Sequence, residues 1–95
     1  TVPYKPDFDA YAEQPLGLYH GVSVQALVKL GERKGYKFVG CDSNGANTFF
    51  VRNDLAASLE SADPAVAFYD NQHKVKRGST EAQWEKIKHL PVVEV

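Results

Sequence analysis

The chain has 95 residues, of which 43% are hydrophobic and 24% are charged, and its formal net charge is −1. A chain of this length forms at most one domain and is close to the lower limit for burying its own core. The near-zero charge argues against a nucleic-acid-binding protein, which needs a basic patch. No run approaches the ~20 apolar residues of a transmembrane helix, and no signal-peptide pattern opens the chain, so we expect a cytoplasmic protein without a membrane partner.

Cysteine and histidine usage predicts neither a disulfide nor a metal site. Cys41 is the single cysteine and lies in an apolar run, which is typical of a buried, unreactive thiol. The three histidines are scattered without metal-ligand spacing. A nucleophile–base pair of Ser23 with His20 is disfavoured because Ser23 is needed as a helix cap. We therefore predict no catalytic residue and no metal ligand within this chain.

Residues 1–18 are predicted to form an ordered loop. They contain three prolines, each of which removes a backbone donor and disfavours helix at the preceding residue. A short helical turn from Asp7 to Glu13, with Asp7 as its cap, is compatible with this pattern. The aromatic residues of the loop either pack on the body of the domain or line a pocket, and both interpretations remain open.

An amphipathic helix is predicted over residues 23–34. Ser23 is a good N-cap, and Gly35 suits the left-handed position that ends a helix. Val24, Leu27 and Val28 form the apolar stripe of this helix. A glycine inside a helix, here Gly31, costs ~1 kcal/mol relative to alanine, so we expect it to allow a strand to approach closely.

Two short strands are predicted after the helix, at residues 36–41 and 48–52. The Asn44-Gly45 dipeptide between them is a strong signal for a β-hairpin turn. Phe49 and Phe50 point to opposite faces of the second strand, which predicts apolar surroundings on both faces. Because an isolated hairpin is marginally stable, we expect more sheet beside it.

The rest of the chain is predicted to be a cover and a tail. Asn53 or Asp54 is expected to cap a short helix over residues 54–60, and residues 70–78 read as a polar loop. Thr80 and Gln83 match a capping box that opens a last helix over residues 80–89, which Pro91 stops. Residues 92–95 either add a strand or dock as a tail.

The stretch from Tyr19 to Leu55 also carries a family resemblance. YHGVSVQALVKLGERKGYKFVGCDSNGANTFFVRNDL resembles the C-terminal region of a bacterial family of class I SAM-dependent methyltransferase-like proteins, related to the FkbM type, many of unassigned function. TVPYKPDFD and KIKHLPVVEV extend the resemblance, which is weakest over residues 56–80. His20 and Asp42 depart from the family pattern, which has an aromatic residue and an asparagine there, and FYDNQHKVKRGS also differs.

The resemblance implies a fold and a role. The fold class is α/β: a helix followed by an antiparallel hairpin, forming the end of a methyltransferase-like sheet, plus a C-terminal helix. Residues 1–95 would be one domain and a C-terminal fragment of a longer protein, divided into loop 1–18, helix and hairpin 19–55, and covering helices and tail 56–95. The Gly-rich turn and the acidic residue that hold S-adenosylmethionine in such folds are missing, so the cofactor would belong to the parent chain, and the fragment alone would be inactive.

The resemblance also implies candidate site residues and partners. Five loop or turn residues would lie near the substrate mouth: Tyr4, Asp7, Tyr19, His20 and Asn44. The partners would be the rest of the parent chain and a small-molecule or glycan acceptor. A second interpretation is a non-enzymatic binding or oligomerisation module, in which an open strand edge pairs with a partner chain or a second copy. A symmetric contact that buries the Phe49–Phe50 strand would favour this interpretation.

Overall fold

The computed structural model describes residues 1–95. It contains three α-helices and one antiparallel sheet of two strands, which agrees with a small α/β fold. In chain order the elements are α1 (Ala10–Glu13), α2 (Val24–Arg33), β1 (Tyr36–Cys41), β2 (Thr48–Arg52) and α3 (Thr80–Ile87), with 3₁₀ turns at Asn53–Leu55 and Val75–Arg77. No helix of the protein has the length and apolar character needed to cross a bilayer.

Helix α2 begins and ends where its local signals predict. The Ser23 hydroxyl oxygen accepts a hydrogen bond from the Ala26 amide at 3.2 Å, so Ser23 is the N-cap. At the other end Gly35 has a φ of 79°, a left-handed conformation that glycine adopts without strain. The chain then enters β1 at the next residue, which brings the strand back along the helix.

Strands β1 and β2 pair in the predicted hairpin. Tyr36 lies opposite Arg52 and Phe38 lies opposite Phe50, and a bulge follows between Phe38 and Gly40. The ring centres of Phe38 and Phe50 are 5.4 Å apart, and Phe38 is only 3% exposed. The face of the hairpin that carries these two rings therefore forms the centre of the core against α2.

The opposite face of the hairpin is open. Phe49 points away from Phe50 and is 51% exposed. This chain therefore supplies the predicted apolar surroundings on only one face of β2, the face that carries Phe50. The predicted additional sheet is also not supplied by residues 1–95, whose sheet has two strands.

The buried core is small for a chain of this length. Only five of the 95 residues are buried, among them Tyr19, Ala26, Phe38 and Ala56. Seventeen large hydrophobic residues are exposed, so far more apolar side chains face solvent than fill the core. Cys41 is half-buried, and burial raises the pKa of its thiol.

The cap of α1 differs from the prediction. Asp9, not Asp7, is the N-cap, and its carboxylate accepts hydrogen bonds from the amides of Tyr11 and Ala12 at 2.9 and 3.0 Å. Asp7 instead lies in a turn closed by a hydrogen bond from the Phe8 amide to the Lys5 carbonyl. The turn delays the start of the helix by two residues.

The prediction of a helix over residues 54–60 is wrong. The chain forms only a 3₁₀ turn at Asn53–Leu55, without a side-chain cap. The Asp54 carboxylate accepts two hydrogen bonds from the Arg52 guanidinium, at 2.6 and 2.8 Å. The Arg52 guanidinium is therefore the partner of this carboxylate, and no side chain caps the turn.

The prediction of a capping box at the start of α3 is also wrong. Ser79 is the N-cap, and its hydroxyl oxygen accepts from the Ala82 amide at 3.2 Å. Thr80 donates its hydroxyl to Asp70, and Gln83 donates its amide to backbone carbonyls, so neither side chain caps the helix. The helix ends at Ile87, two residues before the predicted end.

Residues 92–95 dock as a tail, one of the two predicted alternatives. Val93 and Thr1 exchange two hydrogen bonds, at 2.8 and 3.2 Å. Lys29 of α2 donates to the Val95 carbonyl. These contacts fix the two ends of the chain beside each other and connect the last residue to α2.

Candidate functional site

A cleft rich in polar side chains lies between residues 68–75, the start of α3 and residues 18–20. Its volume is about 520 Å³. We call it the polar cleft. Leu18, Phe68 and Val75 supply its apolar part, and six larger polar side chains line the rest: His20, Asp70, Asn71, Lys74, Thr80 and Gln83.

The N-cap of α3 positions two of these side chains. Because Ser79 starts the helix, Thr80 and Gln83 lie three residues apart and share one face of it. Thr80 donates its hydroxyl to Asp70 at 2.8 Å. Gln83 donates its amide to the carbonyls of Lys74 and Gly78, at 3.0 and 2.7 Å. These hydrogen bonds connect α3 to positions 70, 74 and 78 of the loop that precedes it.

A second set of contacts ties the same loop to the N-terminal segment. The Lys74 amine donates to the Gly17 carbonyl at 3.0 Å and lies 5.9 Å from the centre of the Tyr11 ring. The Arg77 guanidinium donates to the Leu16 carbonyl. The neighbouring Arg77 guanidinium, followed by the charge of Lys74, lowers the pKa of the Tyr11 hydroxyl. Side-chain contacts therefore hold residues 11–17 and 74–77 against each other beside the cleft.

Gly17 leaves room for the Tyr11 ring in this contact. Its φ is 59°, and a Cβ atom at this position would lie 2.7 Å from a Tyr11 ring carbon. A larger residue would therefore push the Tyr11 ring away from Lys74.

The polar cleft has balanced charge and several unused hydrogen-bonding groups. Asp70 and Lys74 contribute one charge of each sign. The second carboxylate oxygen of Asp70, the amide oxygen of Gln83 and the amide nitrogen of Asn71 have no hydrogen-bond partner in the protein, and neither has the His20 ring. The cleft thus offers both donors and acceptors to a ligand.

No group of three or more His, Cys, Asp or Glu side chains converges anywhere in the structure. The polar cleft contains one histidine and one carboxylate among its lining residues. Its arrangement is suited to hold a ligand through hydrogen bonds.

The structure brings only some of the five candidate residues of the sequence together, and Tyr19 and His20 both line a hollow of about 210 Å³. His20 is exposed and lines the polar cleft. Tyr4 and Tyr19 share another hollow of about 370 Å³, where Tyr4 is 90% exposed, whereas Tyr19 is 6% exposed and donates its hydroxyl to the Pro91 carbonyl. Asp7 and Asn44 are exposed and lie outside all three hollows. The backbone carbonyl of Asn44 accepts from the Gln72 amide at 2.9 Å.

Sequence reasoning missed most of the polar cleft. The sequence pattern predicts a polar loop at Asp70 and a capping box at Thr80 and Gln83. The available signal was the run Phe68-Tyr69-Asp70-Asn71, in which two aromatic residues precede a carboxylate and an amide. That combination of residue types is common in ligand sites that have an apolar surface and a few polar contacts.

The chain matches no family model, no curated protein and no solved structure. Any function is therefore argued from the residues and from the geometry described above.

Proposed function

We propose that residues 1–95 form the substrate-side, C-terminal part of a class I SAM-dependent methyltransferase-like protein, related to the FkbM type, and that this part is inactive alone. The resemblance of residues 19–55 motivates the proposal, and the observed order of α2, β1 and β2 is compatible with it. The observation that supports the proposal most strongly is that one outer edge of the hairpin is covered by the chain and the other is not.

The outer edge of β1 is covered by the chain itself. The Ala62 amide donates to the Phe38 carbonyl at 3.0 Å. The Lys37 amine donates to the carbonyls of Ala56 and Leu59, at 3.2 and 2.8 Å. Residues 56–62 therefore run along β1, and this edge has little room for another strand.

The outer edge of β2 is free. The register and the hydrogen bond from the Asn53 amide to the Gly35 carbonyl direct the backbone groups of Thr48, Phe50 and Arg52 away from β1. No other segment of the chain bonds to these groups. An uncovered edge next to a covered one is the arrangement expected of a hairpin that continues a larger sheet through its second strand.

The exposed area gives independent support. The chain exposes 6804 Å², whereas a compact protein of 10.5 kDa exposes about 5,400 Å². The excess of about 1,400 Å² is larger than the roughly 800 Å² that each partner buries in a standard interface. A surface of this size favours permanent packing against further protein, such as the rest of a parent chain.

In this proposal the parent chain binds S-adenosylmethionine, and this part contributes the acceptor side, for a small-molecule or glycan acceptor. No residue of the chain is assigned to the cofactor. A cytoplasmic location is part of the proposal, because the cofactor is an intracellular metabolite.

Calorimetric titration of the full-length protein with S-adenosylmethionine tests this function. We expect micromolar binding, about −8 kcal/mol. Methionine alone serves as the control ligand and should give no heat at the same concentrations. A folded full-length protein that does not bind S-adenosylmethionine would contradict the proposal.

One observation favours a second candidate, a non-enzymatic interaction module that pairs with a partner or a second copy. Phe49 is half-exposed on β2, directly beside the free edge. A symmetric pairing of two β2 strands would cover both features. Light scattering on the full-length protein and on its Phe49→Lys variant tests this. A dimer that the substitution dissociates would support the module, and a monomer would eliminate the symmetric pairing.

A further inference from the structure

We propose that the polar cleft binds a neutral, hydroxyl-rich ligand, specifically a sugar residue. The binding itself follows from the geometry of the cleft, whereas its use as the methyl acceptor rests on the proposed function. Four properties of the cleft support the assignment: fixed polar groups, mixed donors and acceptors, balanced charge, and an exposed aromatic side chain.

The polar groups are held in place before any ligand arrives. The 2.8 Å hydrogen bond from Thr80 fixes one oxygen of the Asp70 carboxylate and leaves the other oxygen free. Two hydrogen bonds from the Gln83 amide nitrogen to backbone carbonyls fix its amide oxygen in the same way. A ligand that bonds to these oxygens does not have to order the side chains first, which lowers the cost of binding.

The free groups match hydroxyls better than ions. Asp70 and Gln83 offer free acceptors and the Asn71 amide nitrogen offers a free donor, whereas the Lys74 amine already donates to the Gly17 carbonyl. A hydroxyl both donates and accepts, so neighbouring hydroxyls of one sugar ring can satisfy groups of both kinds. An anion would face the Asp70 carboxylate and a cation would face Lys74, so the balanced charge disfavours both.

Phe68 supplies the surface for the apolar side of the ring. It is 49% exposed and lines the polar cleft near Leu18. The C–H face of a pyranose buries apolar area against the Phe68 ring, while the pyranose hydroxyls contact the polar side chains of the cleft. The volume of about 520 Å³ lies within the range of small-molecule sites.

The test uses the full-length protein and two uncharged probes, methyl α-D-glucopyranoside and methyl α-D-mannopyranoside. Saturation-transfer NMR detects the bound glycoside, and a titration gives its dissociation constant. We expect saturable binding of at least one probe. Inorganic phosphate at equal concentration should not displace it.

Asp70→Asn should raise the dissociation constant at least tenfold, because it replaces the free acceptor oxygen with a donor or turns the amide away from Thr80. Phe68→Ala should raise it at least fivefold, and it provides a second readout on a half-exposed residue. Asp54→Asn is the matched control, since this exposed carboxylate bonds to Arg52 outside the cleft. It should leave the constant unchanged.

Three results would overturn the assignment: no saturation transfer to either glycoside, displacement of the glycoside by phosphate, or unchanged binding in both cleft variants. Titration of the same samples with S-adenosylmethionine separates this inference from the proposed function. Cofactor binding without glycoside binding removes only the sugar site, and glycoside binding without cofactor binding removes only the methyltransferase role.

Discussion

A Cβ atom on Gly31 of α2 would lie 2.9 Å from two ring carbons of Phe50 in β2. The helix and the hairpin therefore touch at a position where only glycine leaves room for the ring. Phe50 in turn packs on Phe38, the most buried aromatic residue of the chain. The contact explains why the sequence places a helix-weakening residue in the last turn of its longest helix.

Gly31→Ala should destabilise the protein by about 1 kcal/mol. The substitution gains ~1 kcal/mol of helix propensity, but overpacking against Phe50 costs typically 1–3 kcal/mol. Urea unfolding of the full-length protein measures the difference.

Phe50→Leu provides the matched background for this test. A shorter side chain should remove the clash, so Gly31→Ala introduced into the Phe50→Leu variant should be neutral or stabilising. A Gly31→Ala protein that is more stable than the wild type would show that the ring is not confined.

Asp42 holds the hairpin turn and makes it sensitive to acid. One carboxylate oxygen accepts from the amides of Ala46 and Asn47, at 2.9 and 3.1 Å, and the other accepts from the Asn47 side chain at 2.8 Å. The backbone amides of Asn47 and then Ala46 are the main reason that the Asp42 pKa is lowered. Because the folded pKa is lowered, the stabilisation is complete well above pH 4, begins to fall near the unfolded pKa of about 4, and is lost as the pH falls through the folded pKa.

Asp42→Asn should keep the turn, since an amide oxygen still accepts from both backbone amides, but it removes the titration. Thermal unfolding of the wild type and the variant is compared at pH 7 and at pH 3. The wild type should be the more stable at pH 7, and the difference should shrink at pH 3. A difference that does not change with pH would mean that this carboxylate does not stabilise the turn. Asp42→Ala, which removes all three bonds, should be the least stable at pH 7.

Tyr19 links the start of the helix region to the C-terminal tail. Its ring is buried and its hydroxyl donates to the Pro91 carbonyl, next to the tail that pairs with Thr1. Tyr19→Phe should lower the free energy of unfolding by about 1 kcal/mol, the typical net value of one hydrogen bond. It should also speed hydrogen exchange at the Val93 amide, which bonds to the Thr1 carbonyl.

The Tyr4→Phe variant is the control for Tyr19, because the Tyr4 side chain is almost fully exposed. It should change neither stability nor exchange at Val93. If Tyr19→Phe leaves exchange at Val93 unchanged, the tail is held by other contacts.

Residues 23–52 were predicted closely because their signals are local. The Ser23 cap, the glycine after α2 and the Asn44-Gly45 turn each act over four residues or fewer. After Arg52 the predicted helix caps were wrong, because the side chains concerned bond to other partners. Asp54 bonds to Arg52 and Thr80 bonds to Asp70, so residues suited to capping do not cap.

The polar cleft was not predictable by the same reasoning. The bond from Thr80 to Asp70 spans ten positions, and the bond from Lys74 to Gly17 spans 57. Contacts at such separations depend on how the loop folds back, which no local pattern encodes. His20 was found only as one of five loop residues, and the other members of the cleft carried ordinary helix or loop signals.

The central claim is that β2 continues into a larger sheet, and hydrogen exchange of single amides in the full-length protein tests it most directly. The Phe50 and Arg52 amides point to the free edge of β2, whereas the Val51 amide faces β1 and serves as the internal reference. We predict that Phe50 and Arg52 exchange as slowly as Val51 and that the rates do not depend on protein concentration. Rapid exchange at Phe50 and Arg52 beside a protected Val51 would show that β2 ends the sheet, and would contradict the claim.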